Sequence, residues 1–277
     1  MLNYIKMIRP LNLVLALISV GISVHLLGIP FNDPRVFYPI LTVGLFLSSA
    51  NILNDIFDIK TDMLNRPGKP LVSGSIVVKN AGIFGVIFFT AGVISTCQIQ
   101  AVGQNIVILI ILPILLLYTP VFKGIPILGN VMIGCTLGLV FLFTEAAITN
   151  QISRLWFPAL LAFHLTFNRE LIKDIEDLDG DKNAGIVTFP VWKGTACTIY
   201  LFLISSALLM GWPIYIINSG LAGKTSLIVF IFGFLPVFTM PVLYLMWKKH
   251  QANFRLISMM LKIAIIAGLV VIYSIPY

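Results

Sequence analysis

The sequence contains few of the residues on which soluble proteins depend. Only 10% of its 277 residues are charged, whereas an ordinary globular domain uses about a quarter. The three cysteines lie in apolar stretches without CxxC or Cys/His spacing, which predicts small buried residues rather than a metal site. No P-loop, GxSxG, HExxH or GxGxxG motif is present. Since 58% of the chain is hydrophobic, more than one water-facing core could bury, the composition predicts a polytopic membrane protein.

Apolar runs long enough to cross a bilayer recur along the whole chain. A spanning helix needs about 20 mostly apolar residues, and continuous runs without strict alternation favour helices over a β-barrel. Nine segments meet this requirement, the shortest being 105–119: 10–29, 37–57, 80–98, 105–119, 127–148, 155–172, 196–217, 225–246 and 256–275. The connections leave no room for a soluble domain. We therefore predict a single all-α transmembrane domain over residues 1–277, with nine helices around a central cavity.

The basic residues are distributed unevenly between the two sides that nine spans define. One side, which includes the N-terminus, holds Lys6, Arg9, Lys60, Arg66, Lys69, Lys79, Lys123, Arg169, Lys173, Lys182, Lys193, Lys248, Lys249 and Arg255. The other holds only Arg35, Arg154 and Lys224, and Lys262 lies within the last segment. Because cytoplasmic loops carry excess Lys and Arg, the N-terminus and the even-numbered loops of a multi-pass plasma-membrane protein are predicted to be cytoplasmic. The basic residues are too dispersed for nucleic-acid binding, and no obligate protein partner is evident.

The acidic residues, in contrast, are concentrated. Nine of the eleven fall within 54–62 and 169–181, at the cytoplasmic ends of the second and sixth segments. Both stretches contain a DxxDxxxD motif: Asp55, Asp58 and Asp62 in the first, Asp174, Asp177 and Asp181 in the second. Residues at i, i+3 and i+7 share one helical face, so each motif can aim three carboxylates in one direction. Mg²⁺ prefers oxygen ligands and often binds substrate phosphate as well. The paired motifs, with Asn54 as a further ligand, therefore predict magnesium ions that bridge a diphosphate.

Three basic residues accompany the acids on the same predicted side. Arg66 and Lys69 follow the first motif, and Lys123 lies in the loop after the fourth segment. Cations at these places would bind the remaining oxygens of a diphosphate and stabilise its charge as it leaves. The simpler alternative is that they only follow the positive-inside rule.

Two other interpretations of the acidic stretches stay open. They could be solvated helix ends with surface ion pairs, although two matching motifs on one side disfavour this. They could also form the ion site of a secondary transporter, but transporters place such residues near the bilayer midplane on broken helices, whereas these lie at one edge. Away from the motifs, we expect Glu145 to reach the far interface rather than to act in catalysis.

Taken together, the motifs resemble those of the UbiA superfamily of intramembrane prenyltransferases. The matching residues are Asn54-Asp55-x-x-Asp58-x-x-x-Asp62, Arg66, Lys69-Pro70-Leu71 and Asp174-x-x-Asp177-x-x-x-Asp181, with weaker matches at Arg9-Pro10, Tyr118, Lys123 and Gly129-Asn130. The resemblance covers essentially the whole chain. One departure is Lys69, where many relatives carry arginine, a change that keeps the charge but weakens bidentate binding.

The resemblance implies a set of roles for these residues. Metal ligands around Mg²⁺ and an isoprenyl diphosphate would be Asn54, Asp58, Asp62, Asp174, Asp177 and Asp181. Asp55 belongs to the same set, and its position next to Asn54 allows it to point elsewhere. The diphosphate would be held by Asn54, Arg66, Lys69, Tyr118 and Lys123. The catalytic residues would be Asp58, Asp62, Lys123, Asp177 and Asp181, and the prenyl tail would lie in an apolar tunnel between helices.

The stretch around the second motif, Arg169 to Lys182 followed by Thr188-Phe189-Pro190, is most similar to the digeranylgeranylglyceryl phosphate synthase branch of this superfamily. That similarity implies transfer of a geranylgeranyl group to the hydroxyl of geranylgeranylglyceryl phosphate in ether-lipid synthesis. Arg169, Lys173 and Lys182 would then recognise the acceptor phosphate. Prenylation of an aromatic acceptor, such as 4-hydroxybenzoate, uses the same diphosphate chemistry and stays open as the alternative.

Overall fold

The structure is a computed structural model that describes residues 2–212, 215, 220, 223–248 and 251–276. Within these ranges the chain is helical and contains no strand. Its α-helices, in chain order, are α1 (Leu2–Met7), α2 (Pro10–Leu26), α3 (Phe37–Phe57), α4 (Ile59–Asn65), α5 (Val78–Thr96), α6 (Ala101–Ile106), α7 (Leu112–Leu117), α8 (Leu128–Thr149), α9 (Trp156–Glu176), α10 (Leu178–Ala184), α11 (Phe189–Leu209), α12 (Lys224–Ile228), α13 (Leu235–Lys248) and α14 (Phe254–Tyr273). The predicted all-α class is confirmed.

Six helical segments within the described ranges are long and apolar enough to cross a membrane. They are Pro34–Phe57, Val78–Thr96, Leu128–Thr149, Phe189–Leu209, Lys224–Lys248 and Phe254–Tyr273. Two further apolar helices, Pro10–Leu26 and Ala101–Leu117, are shorter. Each of these eight overlaps one predicted segment. The ninth segment, 155–172, corresponds to α9, whose last turns carry charged residues. The chain is thus a multi-pass membrane protein.

Several helix boundaries differ from the predicted ones. The helix predicted over 105–119 begins earlier, at Ala101. The segment predicted over 196–217 begins at Phe189 and is broken at Gly194, whose φ of 85° is one that residues with a side chain rarely adopt. Its predicted end lies outside the described residues, as does Lys249.

Two of the spanning segments contain a π-helical turn. The turns cover Val107–Ile111 and Val229–Phe234, and each is followed directly by a Leu-Pro pair, at Pro113 and Pro236. A proline ring clashes with the carbonyl four residues earlier and cannot donate a backbone hydrogen bond. A widened turn relieves this conflict without ending the helix. The two segments therefore cross the bundle as continuous but locally deformed helices.

Small residues allow the central helices to pack closely. Gly134 and Gly138 form a GxxxG pair on α8, and a Cβ atom at Gly138 would lie only 2.7 Å from the carbonyl oxygen of Ala159 on α9. On α5, a Cβ atom at Gly92 would lie 2.9 Å from the ring of Phe46 on α3. Such contacts are typical of helix pairs in membranes, where close backbone approach replaces the hydrophobic effect as the source of stability.

Large apolar side chains cover much of the outer surface of the bundle. Leu109, Leu208 and Phe232 are among those that are mostly exposed, as expected where lipid is the solvent. Cys97 and Cys197 are also exposed rather than buried, which corrects the prediction for these two residues. The outer surface therefore has the character of a lipid-facing one.

Candidate active site

Both acidic motifs face one cavity of about 580 Å³ at the end of the bundle where α3 and α9 stop. The motif residues that line it are Asn54, Asp58, Asp62, Asp174, Asp177 and Asp181. Tyr118, Arg66, Lys69 and Lys123 line the same cavity. The sequence prediction that two clusters so far apart along the chain converge is therefore matched by the fold.

Each motif bends at its middle aspartate instead of following one continuous helix. Helix α3 ends at Phe57 and α4 begins at Ile59, while α9 ends at Glu176 and α10 begins at Leu178. The residues between them have nearly the same backbone, with φ −86° and ψ 7° at Asp58, and φ −93° and ψ 5° at Asp177. The simple expectation of three carboxylates on one continuous helix is thus replaced by a helix break at the middle carboxylate, after which the short helices α4 and α10 add lining residues to the cavity.

The two motifs are joined directly across this cavity. The guanidinium of Arg66 donates from Nη2 to both carboxylate oxygens of Asp177, at 3.0 Å each. The side-chain amide of Asn65 donates to the carbonyl oxygen of Asp177 at 3.2 Å. Gly180 lies so close to Asn65 that a Cβ atom there would overlap the amide group. These contacts fix α4 against α10.

Lysine side chains hold the first motif. Lys69 donates to Asp62 at 2.6 Å and to Asp55 at 2.8 Å, and Lys123 donates to Asp58 at 2.5 Å. All three carboxylates are therefore neutralised by cations that belong to loops rather than to the spanning helices. Because these cations are the ends of flexible lysine side chains, they can move when another positive charge enters the cavity.

Asp55 differs from the other motif aspartates because it does not line the cavity. It is buried, and its Oδ1 accepts from Lys69 and also from Arg9, each at 2.8 Å. Asn54, the residue before it, lines the cavity instead, where its Oδ1 accepts a hydrogen bond from Thr119 at 2.6 Å. Asp55 thus links the loop before α2 to the loop after α4, a different position from that of the predicted metal ligands.

Burial makes the negative charge of two motif residues costly. It raises the pKa of Asp62, although Lys69 offsets part of this effect. It also raises the pKa of Asp181 to about 6, although the charge of Lys123 offsets part of this effect. A carboxylate in such an environment is stabilised by any additional cation that enters the cavity.

The predicted acceptor residues are only partly brought together. Arg169 and Lys173 line the cavity, and both donate to the buried Glu170, at 2.7 and 3.2 Å. Lys182 is exposed and does not line the cavity, because the adjacent Asp181 faces the cavity and successive helical residues point in different directions. Lys182 is accordingly separated from the site by the fold.

Several polar residues of the site were not assigned from the sequence. Asn130 donates to Asp174 at 2.8 Å, and Thr119 contacts Asn54 as described above. Lys262 on α14 also lines the cavity and donates to Asn12 at 2.9 Å. A usable signal existed for Lys262, since it is the one charged residue inside the apolar segment 256–275.

An apolar arm extends the cavity between α3, α7 and α8. Phe46, Leu47, Ile114, Leu115, Val140 and Phe143 line it. These apolar residues line the same cavity as the carboxylates and cations just described, as an apolar tunnel for a prenyl tail would require.

The donor atoms of the site suit a hard divalent cation. Every motif side chain that lines the cavity offers oxygen, the ligand that Mg²⁺ prefers. As the described residues stand, no three His, Cys, Asp or Glu side chains are gathered closely enough to hold a metal ion. Asp177, Asp62 and Asp58 instead contact Arg66, Lys69 and Lys123, so metal binding by these three would require their contacts to rearrange.

The amino-acid sequence is similar to those of known proteins. Residues 13–273 match the UbiA prenyltransferase family. The digeranylgeranylglyceryl phosphate synthase of Methanobrevibacter smithii is 31% identical over 243 residues, which cover 83% of this chain and 85% of that protein.

Solved structures of known proteins are also similar to this chain. One reported for a digeranylgeranylglyceryl phosphate synthase in membranes has a TM-score of 0.74 and 25% identity, and covers 99% of this chain and 98% of that one. A UbiA homologue from Archaeoglobus fulgidus, bound to GPP and Mg²⁺, has a TM-score of 0.70 at 17% identity over 98% of this chain and 99% of that one. This second likeness is one of fold.

Proposed function

Because the chain belongs to the UbiA prenyltransferase family, we propose that it transfers a geranylgeranyl group from geranylgeranyl diphosphate to the hydroxyl of geranylgeranylglyceryl phosphate. The relatives named digeranylgeranylglyceryl phosphate synthase support this choice of substrates. One structural observation carries the proposal: Arg66 joins both acidic motifs across a single cavity that continues into an apolar arm.

The diphosphate is placed between the two motifs in this proposal. Arg66, Lys69 and Lys123 bind its oxygens after releasing the carboxylates that they contact in the structure, and Tyr118 and Asn54 line the same space. Charge-assisted hydrogen bonds of this kind are stronger than neutral ones, and arginine can bind two oxygens at once. The geranylgeranyl chain occupies the apolar arm, where burial of its methylene groups favours binding.

We assign the magnesium ligands to Asn54, Asp58, Asp62, Asp174, Asp177 and Asp181, which are the motif residues that line the cavity. Asp55 is left out of this set because Arg9 and Lys69 hold it away from the cavity. When bound, Mg²⁺ supplies Lewis-acid stabilisation of the charge on the departing pyrophosphate. The A. fulgidus protein has this fold and was solved with GPP and Mg²⁺ bound. It supports the proposal that the cavity binds Mg²⁺ together with a diphosphate.

The reaction exchanges one carbon–oxygen bond for another. The bond between carbon one of the prenyl chain and the diphosphate oxygen breaks, and its electron pair leaves with pyrophosphate. The acceptor hydroxyl oxygen then bonds to carbon one, and its proton passes to pyrophosphate or to a motif carboxylate. The basic residues stabilise the developing negative charge, while the apolar walls keep water from the allylic cation.

Nine spans, with the N-terminus and the site on the cytoplasmic side of the plasma membrane, complete the proposal. Six helices of sufficient length, two shorter apolar helices and α9 add up to nine. The excess of basic residues at the site end supports this orientation.

A product mass tests the choice of acceptor. Purified protein would be given geranylgeranyl diphosphate with geranylgeranylglyceryl phosphate or with 4-hydroxybenzoate, and pyrophosphate would be measured in both cases. We expect the ether product and pyrophosphate with the first acceptor only. Prenylated 4-hydroxybenzoate would replace the proposed acceptor by an aromatic one. Absence of pyrophosphate with any acceptor, together with ion flux in vesicles, would support the transporter interpretation instead.

A further inference from the structure

A second, basic arm of the cavity is lined by residues of α2, α9 and α14. Its polar lining residues come from all three helices and the loop before α2. They include Arg9, Asn12, Thr166, Arg169, Arg255, Ser258 and Lys262, and the buried Glu170 lies beside Arg169. Leu15, Met259 and Ile265 provide apolar walls beside them. The basic arm therefore combines positive charge with a surface suited to a hydrocarbon chain.

Lys262 is the most informative residue of the basic arm. It lies in the middle of α14, whose other charged residue, Arg255, is at the start of the helix, and it is only partly exposed. Its amino group donates to the neutral Oδ1 of Asn12 at 2.9 Å, and no carboxylate lies within 4.0 Å of it in the described parts of the chain. Charged residues inside membrane helices are costly and usually mark a functional site. The charge of Lys262 therefore needs an anion that the described residues do not provide.

Two more groups in the basic arm have unused hydrogen-bonding capacity. Thr166 is only 6% exposed, and its hydroxyl has no hydrogen-bond partner among the described residues. The buried Nε of Arg169, one turn further along α9, also has none there. Buried donors without partners destabilise a fold. A ligand with several acceptor oxygens would satisfy both groups together with Lys262.

Arg9 connects the basic arm to the diphosphate site. It has a left-handed backbone, with φ 52° and ψ 71°, that residues other than glycine rarely adopt. Its guanidinium and the amino group of Lys69 both donate to the same oxygen of Asp55. Asp55 is thus shared by Arg9, a lining residue of the basic arm, and Lys69, one of the residues proposed for the diphosphate. The cations of the two sites provide places for two anions.

We propose that the basic arm binds the phosphate monoester of the acceptor lipid, with Lys262, Arg169 and Thr166 as its ligands, Arg9 as an additional cation and the apolar walls along the acceptor's chain. This assignment rests on the proposed function and deepens it. It makes Lys262 the principal lysine for the acceptor in place of Lys182 and Lys173. Lys182 is exposed, and Lys173, like Arg169, contacts Glu170, whereas Lys262 contacts no carboxylate among the described residues.

The test compares acceptors with and without the phosphate. Wild-type protein, Lys262→Met and the control Lys79→Met would be assayed with geranylgeranylglyceryl phosphate and with geranylgeranylglycerol. Lys79 is exposed and does not line the cavity. We expect Lys262→Met to raise the KM of the phosphorylated acceptor by about 10- to 100-fold and to leave the KM of the diphosphate and of geranylgeranylglycerol unchanged. Lys79→Met should behave as wild type in every assay.

The outcomes separate the two proposals. If the wild-type protein produces no ether product, the proposed function fails. If it does, and Lys262→Met keeps the wild-type preference for the phosphorylated acceptor, the assignment of the basic arm is overturned. An equal rise in the KM of the diphosphate would place the diphosphate, not the acceptor, in this arm and would overturn it too.

A second variant and a lipid comparison guard against misinterpretation. Lys262→Met removes a partly buried charge without a carboxylate partner, so it should unfold at the wild-type temperature or above. Arg169→Gln should show the same selective loss. The phosphate could also belong to a bilayer lipid. Assays in vesicles with and without an anionic phospholipid distinguish the two sources of phosphate. If the phospholipid inhibits turnover of wild type but not of Lys262→Met, and Lys262→Met keeps the preference for the phosphorylated acceptor, the basic arm binds a bilayer lipid and the proposal is overturned.

Discussion

The two ends of the helical bundle use buried carboxylates in opposite ways. At the site end, nine acidic residues lie within 54–62 and 169–181, and those that line the cavity contact mainly side chains that can move. At the far end, Glu145 is 1% exposed and accepts from the backbone N–H groups of Ser153, Arg154 and Leu155 at 2.8–3.0 Å. No cation contacts it among the described residues.

This difference separates a structural carboxylate from functional ones. The donors around Glu145 are three backbone N–H groups and the hydroxyl of Ser153, all in the turn that leads into α9, and the backbone groups cannot move without unfolding that turn. The donors around Asp58, Asp62 and Asp177 are lysine and arginine side chains, which can turn from a carboxylate to a phosphate at little cost to the fold. Burial and a carboxylate are common to both ends, so the nature of the donors decides which end can bind and release a ligand.

The largest expected effect follows from removing one carboxylate at the site end. We expect Asp58→Ala or Asp177→Ala to lower kcat by about 10³-fold or more, since a catalytic metal contributes several kcal/mol to the transition state. Turnover in detergent would be measured together with thermal unfolding. The protein should stay folded. Full activity in either variant would contradict the metal assignment and would remove the contrast between the two ends.

Removal of the metal should produce a loss of similar size without any mutation. We expect EDTA to abolish turnover and an excess of Mg²⁺ to restore it without unfolding the protein, because Asp58, Asp62 and Asp177 contact Lys and Arg side chains when no metal is bound. The measurement is pyrophosphate release before and after chelation, with helical content monitored by circular dichroism. Undiminished turnover in EDTA would show that the cations of the site suffice by themselves.

The far end should show the reverse pattern. Glu145→Gln replaces a charged acceptor of several N–H groups by an amide that has its own donor, which should destabilise the protein by about 1–3 kcal/mol. Thermal unfolding in detergent would reveal this loss, whereas kcat measured well below the transition should match wild type. A variant that unfolds normally but has lost turnover would assign Glu145 to function and would break the comparison.

Much of the candidate site was predictable because its chemistry follows from the residue types and their spacing. The motifs around Asp58 and Asp177 and the nearby Arg66 and Lys123 required only the counting of acids and cations on one side. The bend at each middle aspartate was not predictable, since DxxDxxxD is equally compatible with one continuous helix. The burial of Glu145 was also missed, because a carboxylate at a helix end can reach solvent unless nearby backbone donors capture it.

Contacts between distant parts of the chain were beyond sequence patterns altogether. Lys262 and Asn12 are 250 residues apart, and Arg9 and Asp55 are 46 apart. Neither pair belongs to a periodic pattern, and both form only because α2, α3 and α14 meet around the cavity. The residues proposed for the diphosphate lie mostly in or next to two short motifs, whereas the basic arm is assembled from three helices, and of its proposed phosphate ligands only Arg169 was predicted from the sequence.

The smallest effect is expected at Asp33, the other acidic residue of the far end. It forms an exposed pair with Arg35, at 2.7 Å between Oδ2 and Nη2, and the hydrogen bonds from Arg35 lower the pKa of Asp33 to about 2. Because the pKa of Asp33 is lowered in the folded protein, its ionised carboxylate stabilises the fold above pH 3.8, the ordinary pKa of the group. This contribution is lost as the pH falls towards 2. Exposed pairs contribute little in water. We therefore expect Asp33→Asn to match wild type in turnover and in unfolding temperature at neutral pH. A clear loss of stability there would mean that the far end relies on side-chain ion pairs after all, as the site end does, and that the nature of the donors does not distinguish the two ends.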